Sequence, residues 1–299
     1  RYFFVRNAEP GYTFYERGVV NGERKRDFID AGEARPLGVV IYYLLSDQAK
    51  DVRLSILDVE GNEIRNWGMD EIPTERFASF DNRGYGQDLV TGQPAASVGQ
   101  GLNRFIWDMR YPSVSAIPGL PPVLIKPIAK PGTYQLRLTV DGQSQTEAFE
   151  LKINPNEAYT REQTDAKSVA WIKLYDKAEQ GVQAVLTAQA AQKKVQAALG
   201  AAGASAELKA QGAKVDQLCS EFVSSMVATG RTLVQIISEP TKPLSILVSL
   251  HNVMEHSEGP PNQPWLEVYE KVAGEMDAFA AQFDAALAKE MARFDELQR

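Results

Sequence analysis

"GTYQLRLTVDGQSQTEAFELKI", residues 132–153, decides the fold of the first half of the chain. Tyr134, Leu136, Leu138 and Val140 alternate with Gln135, Arg137 and Thr139. Side chains on a strand point to opposite faces in turn, so this alternation predicts a strand with one apolar face. Asp141-Gly142 then supplies the positive φ angles of a type I′ turn, and a return strand runs to Ile153. The stretch predicts a β-hairpin.

Upstream the same period recurs. "LGVVIYYLLS" (37–46) is rich in β-branched and aromatic residues. In "DVRLSILDVEG" (51–61), Val52, Leu54 and Ile56 alternate with Arg53, Ser55 and Leu57, and a turn at Glu60-Gly61-Asn62 leads into "EIRNWG". "GLNRFIWDMRYPS" (101–113) puts Phe105, Trp107, Met109 and Tyr111 on one side and Asp108 and Arg110 on the other. Its aromatics form a core face, and Asp108 and Arg110 pair or cap at the sheet edge. The alternation argues against a single reaction site using both sides. Short strands joined by turns, with no helical period between them, predict an antiparallel sandwich over residues 27–155, preceded by an extended segment or linker over 1–26.

Downstream of "NPNEAYTREQ" the period lengthens. Thr160 and Gln163 make a capping box. Trp171, Leu174, Ala178, Val182, Val185 and Gln189 form one stripe. A second runs through Leu208, Gly212, Val215, Cys219, Phe222, Met226, Thr229, Leu233 and Ile236. A third holds Trp265, Tyr269, Val272, Met276, Phe279, Phe283, Leu287, Met291, Phe294 and Leu297. Spacings of three and four place each stripe on one helix face. Prolines and glycines separate the elements, and Asn262 caps the last. The expectation is an antiparallel bundle of long helices over 156–299, with helices at about 160–199, 204–238, 243–257 and 263–298.

Composition narrows the function classes. The chain has 299 residues and a net charge of -7, which leaves no nucleic-acid footprint and no polybasic membrane patch. Before residue 155 stand 18 basic and 20 acidic residues, and 14 and 19 follow, so neither half is a charged tail. The single cysteine, Cys219, rules out an internal disulfide and a cysteine-built zinc site. No apolar run approaches the roughly 20 residues a membrane-spanning helix needs. The opening "RYFFVRNAEPGYTFY" is strand-like and aromatic, as expected of a processed product or a fragment of a longer protein.

Motifs of catalysis are weak. "HNVMEH" (251–256) holds both histidines, but His251 and His256 stand five apart, about 140° around a helix, and cannot share a metal. His251 and Glu255, four apart, can bond each other. Asp81, Asn82 and Asp88 lie in the irregular stretch 70–100 without the spacing of a calcium loop. That stretch, with Phe77, Phe80 and Tyr85, is expected to dock, and "PSVSAIPGLPPVLIKPIAKPG" (112–132) to serve as an extended cover or interdomain spacer. Neither a phosphate-binding glycine loop nor a Gly-x-Ser-x-Gly elbow is present. The readings therefore name no catalytic residue, no cofactor and no metal. If the chain binds polysaccharide, Trp67, Tyr85 and Trp107 are the candidate stacking residues, and exposed, coplanar rings are the requirement.

Three segments in order carry a family resemblance: "DAGEARPLGVVIYYLLSD", "GLNRFIWDMRYP" and "KPGTYQLRLTVDGQSQTEAFELKINP", followed by a helical tail with "PPNQPWLEVYEKVAGEMD". Together, over residues 27 to 299, they resemble the C-terminal region of bacterial exported β-propeller proteins, commonly labelled BNR-repeat glycosyl hydrolases or sortilin-like proteins. The middle pieces also look like the Ig-like sandwich of flagellar hook-capping proteins. The resemblance implies an Ig-like domain and a helical domain downstream of a propeller, in an extracytoplasmic protein. It carries no catalytic residue onto this chain, which holds no Ser-x-Asp-x-Gly-x-x-Trp box. The expected function is a non-catalytic structural or protein-interaction module whose partner is another protein or its own upstream propeller. The alternative is a carbohydrate-binding accessory domain of a glycoside hydrolase.

Overall fold

The predicted hairpin is present: β7 (Gly132–Val140) pairs antiparallel with β8 (Gln143–Leu151), with Val140 opposite Gln143. Asp141 and Gly142 take φ of 49° and 85°, as a type I′ turn requires. The Asp141 carboxylate also accepts the backbone N–H groups of Lys50 (2.9 Å) and Asp51 (2.8 Å), tying the turn to the start of the neighbouring strand. The return strand stops at Leu151, two residues before the expected end.

This hairpin lies in a computed structural model that describes residues 15–20, 23–28, 38–70, 95–120, 123–153, 159–200, 205–228, 240–257 and 259–299, with the backbone alone for the first two ranges. The chain has mixed α and β content and divides into two units. The described residues of the first form three antiparallel sheets. Strands β1 (Tyr15–Val20) and β2 (Glu23–Phe28) form a hairpin where the sequence suggested only an extended segment. Strands β3 (Val39–Leu45) and β6 (Gly101–Trp107) pair along their whole length. The third sheet has the order β5-β4-β7-β8, with β4 spanning Val52–Leu57 and β5 Glu63–Trp67.

The inner faces of the last two sheets meet in one buried cluster. Val39, Ile41, Tyr43, Phe105 and Trp107 come from one sheet; Val52, Leu54, Ile56, Trp67, Tyr134 and Phe149 come from the other. The alternation of β3 and β6 matches the sequence reading. That of β4 departs from it, because Ser55 and Leu57 are buried too. Strand β4 lies between β5 and β7, and Ser55 is flanked by the longer Asn66 and Arg137. Leu57 follows a β-bulge, where β5 steps from Arg65 to Glu63 and leaves Ile64 unpaired.

Strand β6 ends at Trp107, before the predicted Asp108–Tyr111 extension. Met109 takes a left-handed φ of 59°, and its carbonyl accepts the Ala129 N–H at 2.7 Å. Met109 and Tyr111 still pack against the core, as the alternation suggested.

The described residues of the second unit form four helices: α1 (Arg161–Leu199), α2 (Ala206–Met226), α3 (Pro243–His256) and α4 (Gln263–Gln298). The Thr160–Gln163 capping box and the Asn262 cap are both formed. The described parts of the first two stripes are buried as written, except that Ala188 takes the place given to Gln189, whose amide donates to the Pro118 carbonyl; in the third, Phe279, Leu287, Met291 and Leu297 are only half-buried. Helix α2 does not run on to 238. Val227 is extended at its C-terminus, ahead of Thr229 and Gly230, a poor pair for helix propagation. Residues 229–239 lie outside the described residues, and with them Leu233 and Ile236 of the second stripe.

Helix direction follows from paired side chains. Gln192 bonds Asp216 while Gly181 faces Met226, so α1 and α2 run antiparallel. Gln211 bonds Glu290 and Phe222 stacks on Phe283, so α2 and α4 also run antiparallel. Lys177–Asp277 and Lys194–Asp295, both at 2.8 Å, show that α1 and α4 run parallel. The segment Pro112–Ile128 belongs to this unit rather than to the sheets. Val114, Ile117, Val123 and Ile125 join the helical core, and Glu179 of α1 accepts both the N–H (2.7 Å) and the hydroxyl (2.6 Å) of Ser115.

Candidate functional site

The first unit carries an open recess of about 510 Å³ on the outward face of the β5-β4-β7-β8 sheet. Register builds it. Arg53 on β4 stands opposite Thr139 on β7, which stands opposite Ser144 on β8. One step along, Ser55 stands opposite Arg137. The two arginines are therefore diagonal neighbours on the two central strands. Thr139 and Ser144 share a hydroxyl hydrogen bond of 2.8 Å.

Carboxylates stand around this centre. Asp51 lies at the start of β4, Asp70 beyond the end of β5, and Glu63 at the start of β5. Glu63 accepts the Asn66 amide at 2.5 Å. Among the described residues, neither Arg53 nor Arg137 makes an ion pair or a side-chain hydrogen bond. The Ser55 hydroxyl also has no partner, although the residue is only 2% exposed. The arrangement offers two forked cation donors and a hydroxyl to an oxyanion, with acceptors at the margin.

The candidate stacking residues are placed differently. Trp107 is 0% and Trp67 1% exposed, and a stacking platform needs a free ring face, which neither has. Trp107 meets Tyr134 and Phe149 edge-on, with centroids 5.9 and 6.2 Å away, and its Nε1 donates to the Arg110 carbonyl at 3.1 Å. Trp67 packs on Phe105 at 4.9 Å, beneath the Arg65 guanidinium. Their Nε1 and Nε atoms respectively, in Trp67 and Arg65, are buried without hydrogen-bond partners. Tyr85 lies outside the described residues, as do Phe77, Phe80, Asp81, Asn82 and Asp88. Asp108 pairs with Arg65 of β5 at 2.8 Å.

In the helical unit the structure brings His251 and Glu255 together, with Nε2 to Oε2 at 3.3 Å. The partner on the other side was not legible in the sequence. Trp171 Nε1 donates to His251 Nδ1 at 2.6 Å, from a different helix. An imidazole whose Nδ1 accepts carries its proton on Nε2, which then faces the Glu255 carboxylate. His256 instead contacts the Asn252 carbonyl through Nδ1.

Cys219 is fully buried, and desolvation, aided by the charge of Asp216, pushes its thiol up to about 11. Among the described residues no group of three or more His, Cys, Asp or Glu side chains is placed to hold a metal ion. No described helix is long and apolar enough to cross a membrane. No protein-family model, no curated protein and no solved structure matches the chain.

Proposed function

We propose that this chain is a non-catalytic structural and protein-interaction module, the C-terminal part of an exported β-propeller protein. In this reading the first unit is an Ig-like sandwich and the second a bundle in which successive long helices run antiparallel. Its partner is another protein or the propeller that precedes it in the full-length product.

One observation carries the reading: the buried polar side chains of the described residues are committed to holding the fold. His251 is bonded by Trp171 and Glu255. Asn103 donates to the carbonyls of Gly99 and Gly101. Gln211 donates to the Glu290 carbonyl and carboxylate. Ser245 donates to the Lys242 carbonyl. A group locked in this way is poorly placed to exchange protons with a substrate. The exceptions are Ser55, which lines the recess, and the Trp67 Nε1 and Arg65 Nε atoms, which are buried without partners. The segments quoted above for the family resemblance supply the propeller context.

The test is to express the coding sequence upstream of Arg1 as a separate polypeptide and mix it with this chain. Co-elution on size exclusion, with no turnover of aryl glycosides by the chain alone, is the expected result. Separate elution, or glycosidase turnover abolished by a point substitution in this chain, overturns the reading.

A further inference from the structure

We propose that the recess on the outward face of the β5-β4-β7-β8 sheet binds a polypeptide segment of mixed charge, with a carboxylate between Arg53 and Arg137 and basic side chains at its margin. The inference rests on the interaction-module reading and names the chemistry of the partner.

Three observations converge. First, Arg53 and Arg137 are diagonal neighbours without ion partners among the described residues, on a protein with more acidic than basic residues. A surface guanidinium with carboxylates nearby normally recruits one. Here the acids stand at strand ends and the arginines on the central strands, so the centre keeps its positive charge. Second, the Ser55 hydroxyl opens onto the same recess and bonds no other group among the described residues. It is a donor open to the recess, and an incoming oxygen acceptor would engage it. Third, the charge pattern is concentric. Asp51, Glu63 and Asp70 would repel a polyanion, yet they match lysines flanking a single acidic residue.

The lining also selects the class of ligand. It contains no aromatic side chain, and Met69 is its one large apolar group. A pyranose ring finds no face to stack on, whereas a peptide carboxylate needs only the forked guanidinium donors.

The experiment uses the full chain. A fluorescein-labelled heptapeptide, Lys-Gly-Ser-Glu-Ser-Gly-Lys with blocked ends, is titrated and read by anisotropy at low salt. Its Glu→Gln analogue and polygalacturonate are the comparison ligands. The expected result is saturable binding that weakens with added salt and by about tenfold or more for the Gln analogue. Arg53→Gln/Arg137→Gln should lose binding to the same degree, with an unchanged circular dichroism spectrum and Tm. Absence of binding, equal binding of the Gln analogue, or equal binding by the folded double variant overturns the proposal. So does preference for polygalacturonate, which would make the recess a saccharide site. Were the double variant unfolded, the peptide pair alone would still decide. If the heptapeptide fails while the upstream polypeptide still co-elutes with the chain, the recess is ruled out and the module reading stands.

Discussion

Arg65 and Asp108 tie the β5-β4-β7-β8 sheet to the end of the β3-β6 sheet through a 2.8 Å bond between Nη1 and Oδ1. Arg65 is opposite Ile56 on the inner face of β5, while Asp108 follows the last residue of β6. The two ends of this bond are unequal. The arginine side chain is 11% exposed and the aspartate 49%. Arg65 Nη1 also reaches the Arg110 carbonyl at 3.3 Å, and its guanidinium covers Trp67. Arg65→Gln should therefore cost about 1–3 kcal/mol, through lost packing and lost donors. Asp108→Asn should cost less than about 1 kcal/mol, as for a solvated ion pair. Urea denaturation of both variants measures the difference, and equal losses would refute the asymmetry.

Gly181 and Gly274 make a matched pair of helix glycines with opposite outcomes. A Cβ at Gly181 would overlap the Met276 methyl and crowd Leu244 and Met226, so three helices close on that position. The Met276 methyl ends a flexible side chain but is itself buried, so Gly181→Ala should destabilise by about 1 kcal/mol once the propensity gain of alanine is set against the crowding. At Gly274 a Cβ meets nothing within 4 Å. Gly274→Ala should stabilise α4 by up to about 1 kcal/mol through helix propensity alone. Thermal unfolding should move Tm in opposite directions.

Trp107 serves the core. Trp107→Ala should cost about 3–5 kcal/mol, because it empties a fully buried ring site and removes one of the two donors to the Arg110 carbonyl. Native-state hydrogen exchange should show the loss in β3, β6 and β7. A variant that keeps wild-type protection there would show that the ring is dispensable to packing.

Cys219 should be silent in the native protein. Its buried thiol, pushed up to about 11, presents almost no thiolate at neutral pH. Labelling by a thiol reagent should proceed only through opening of the helical unit, and so accelerate with urea. Fast labelling without denaturant would contradict this burial.

Glu179 gives the second unit an acid-sensitive contact. Partial burial raises its pKa, but bonds from the Ser115 hydroxyl, the Gln183 amide and the Ser115 N–H outweigh that and leave it below the ordinary glutamate range. A depressed folded pKa contributes stability that is present in full above the unfolded value and lost as pH falls through the folded one. Wild type should therefore lose stability relative to Glu179→Gln between about pH 5 and 3, and the two should run parallel above about pH 6. Parallel curves throughout the acid range would remove Glu179 from the account.

Much of the architecture is readable from periodicity. The β7–β8 turn follows from Asp141-Gly142, and the helix faces follow from spacings of three and four, because both signals are local. What the sequence hides is register between elements. Arg53 and Arg137 each sit on the polar side of an alternating strand, yet only the pairing of β4 with β7 makes them neighbours. The Trp171–His251 bond joins residues 80 apart, and the parallel course of α1 and α4 depends on what lies between them. The burial of Ser55 reflects the central place of β4, which no alternation within one strand reveals.

The segment Pro112–Ile128 has a bearing on biosynthesis. It leaves the sheets after β6, contributes four apolar side chains to the helical core, and returns before β7. Emerging from the ribosome ahead of the helices it packs on, it must wait uncovered while β7 and β8 are made. The chain of the first unit is thus interrupted by a segment of the second, and the two cannot mature as successive, self-sufficient pieces. A product ending near residue 155 would retain Val114, Ile117, Val123 and Ile125 with their helical cover gone, and aggregation is its expected fate.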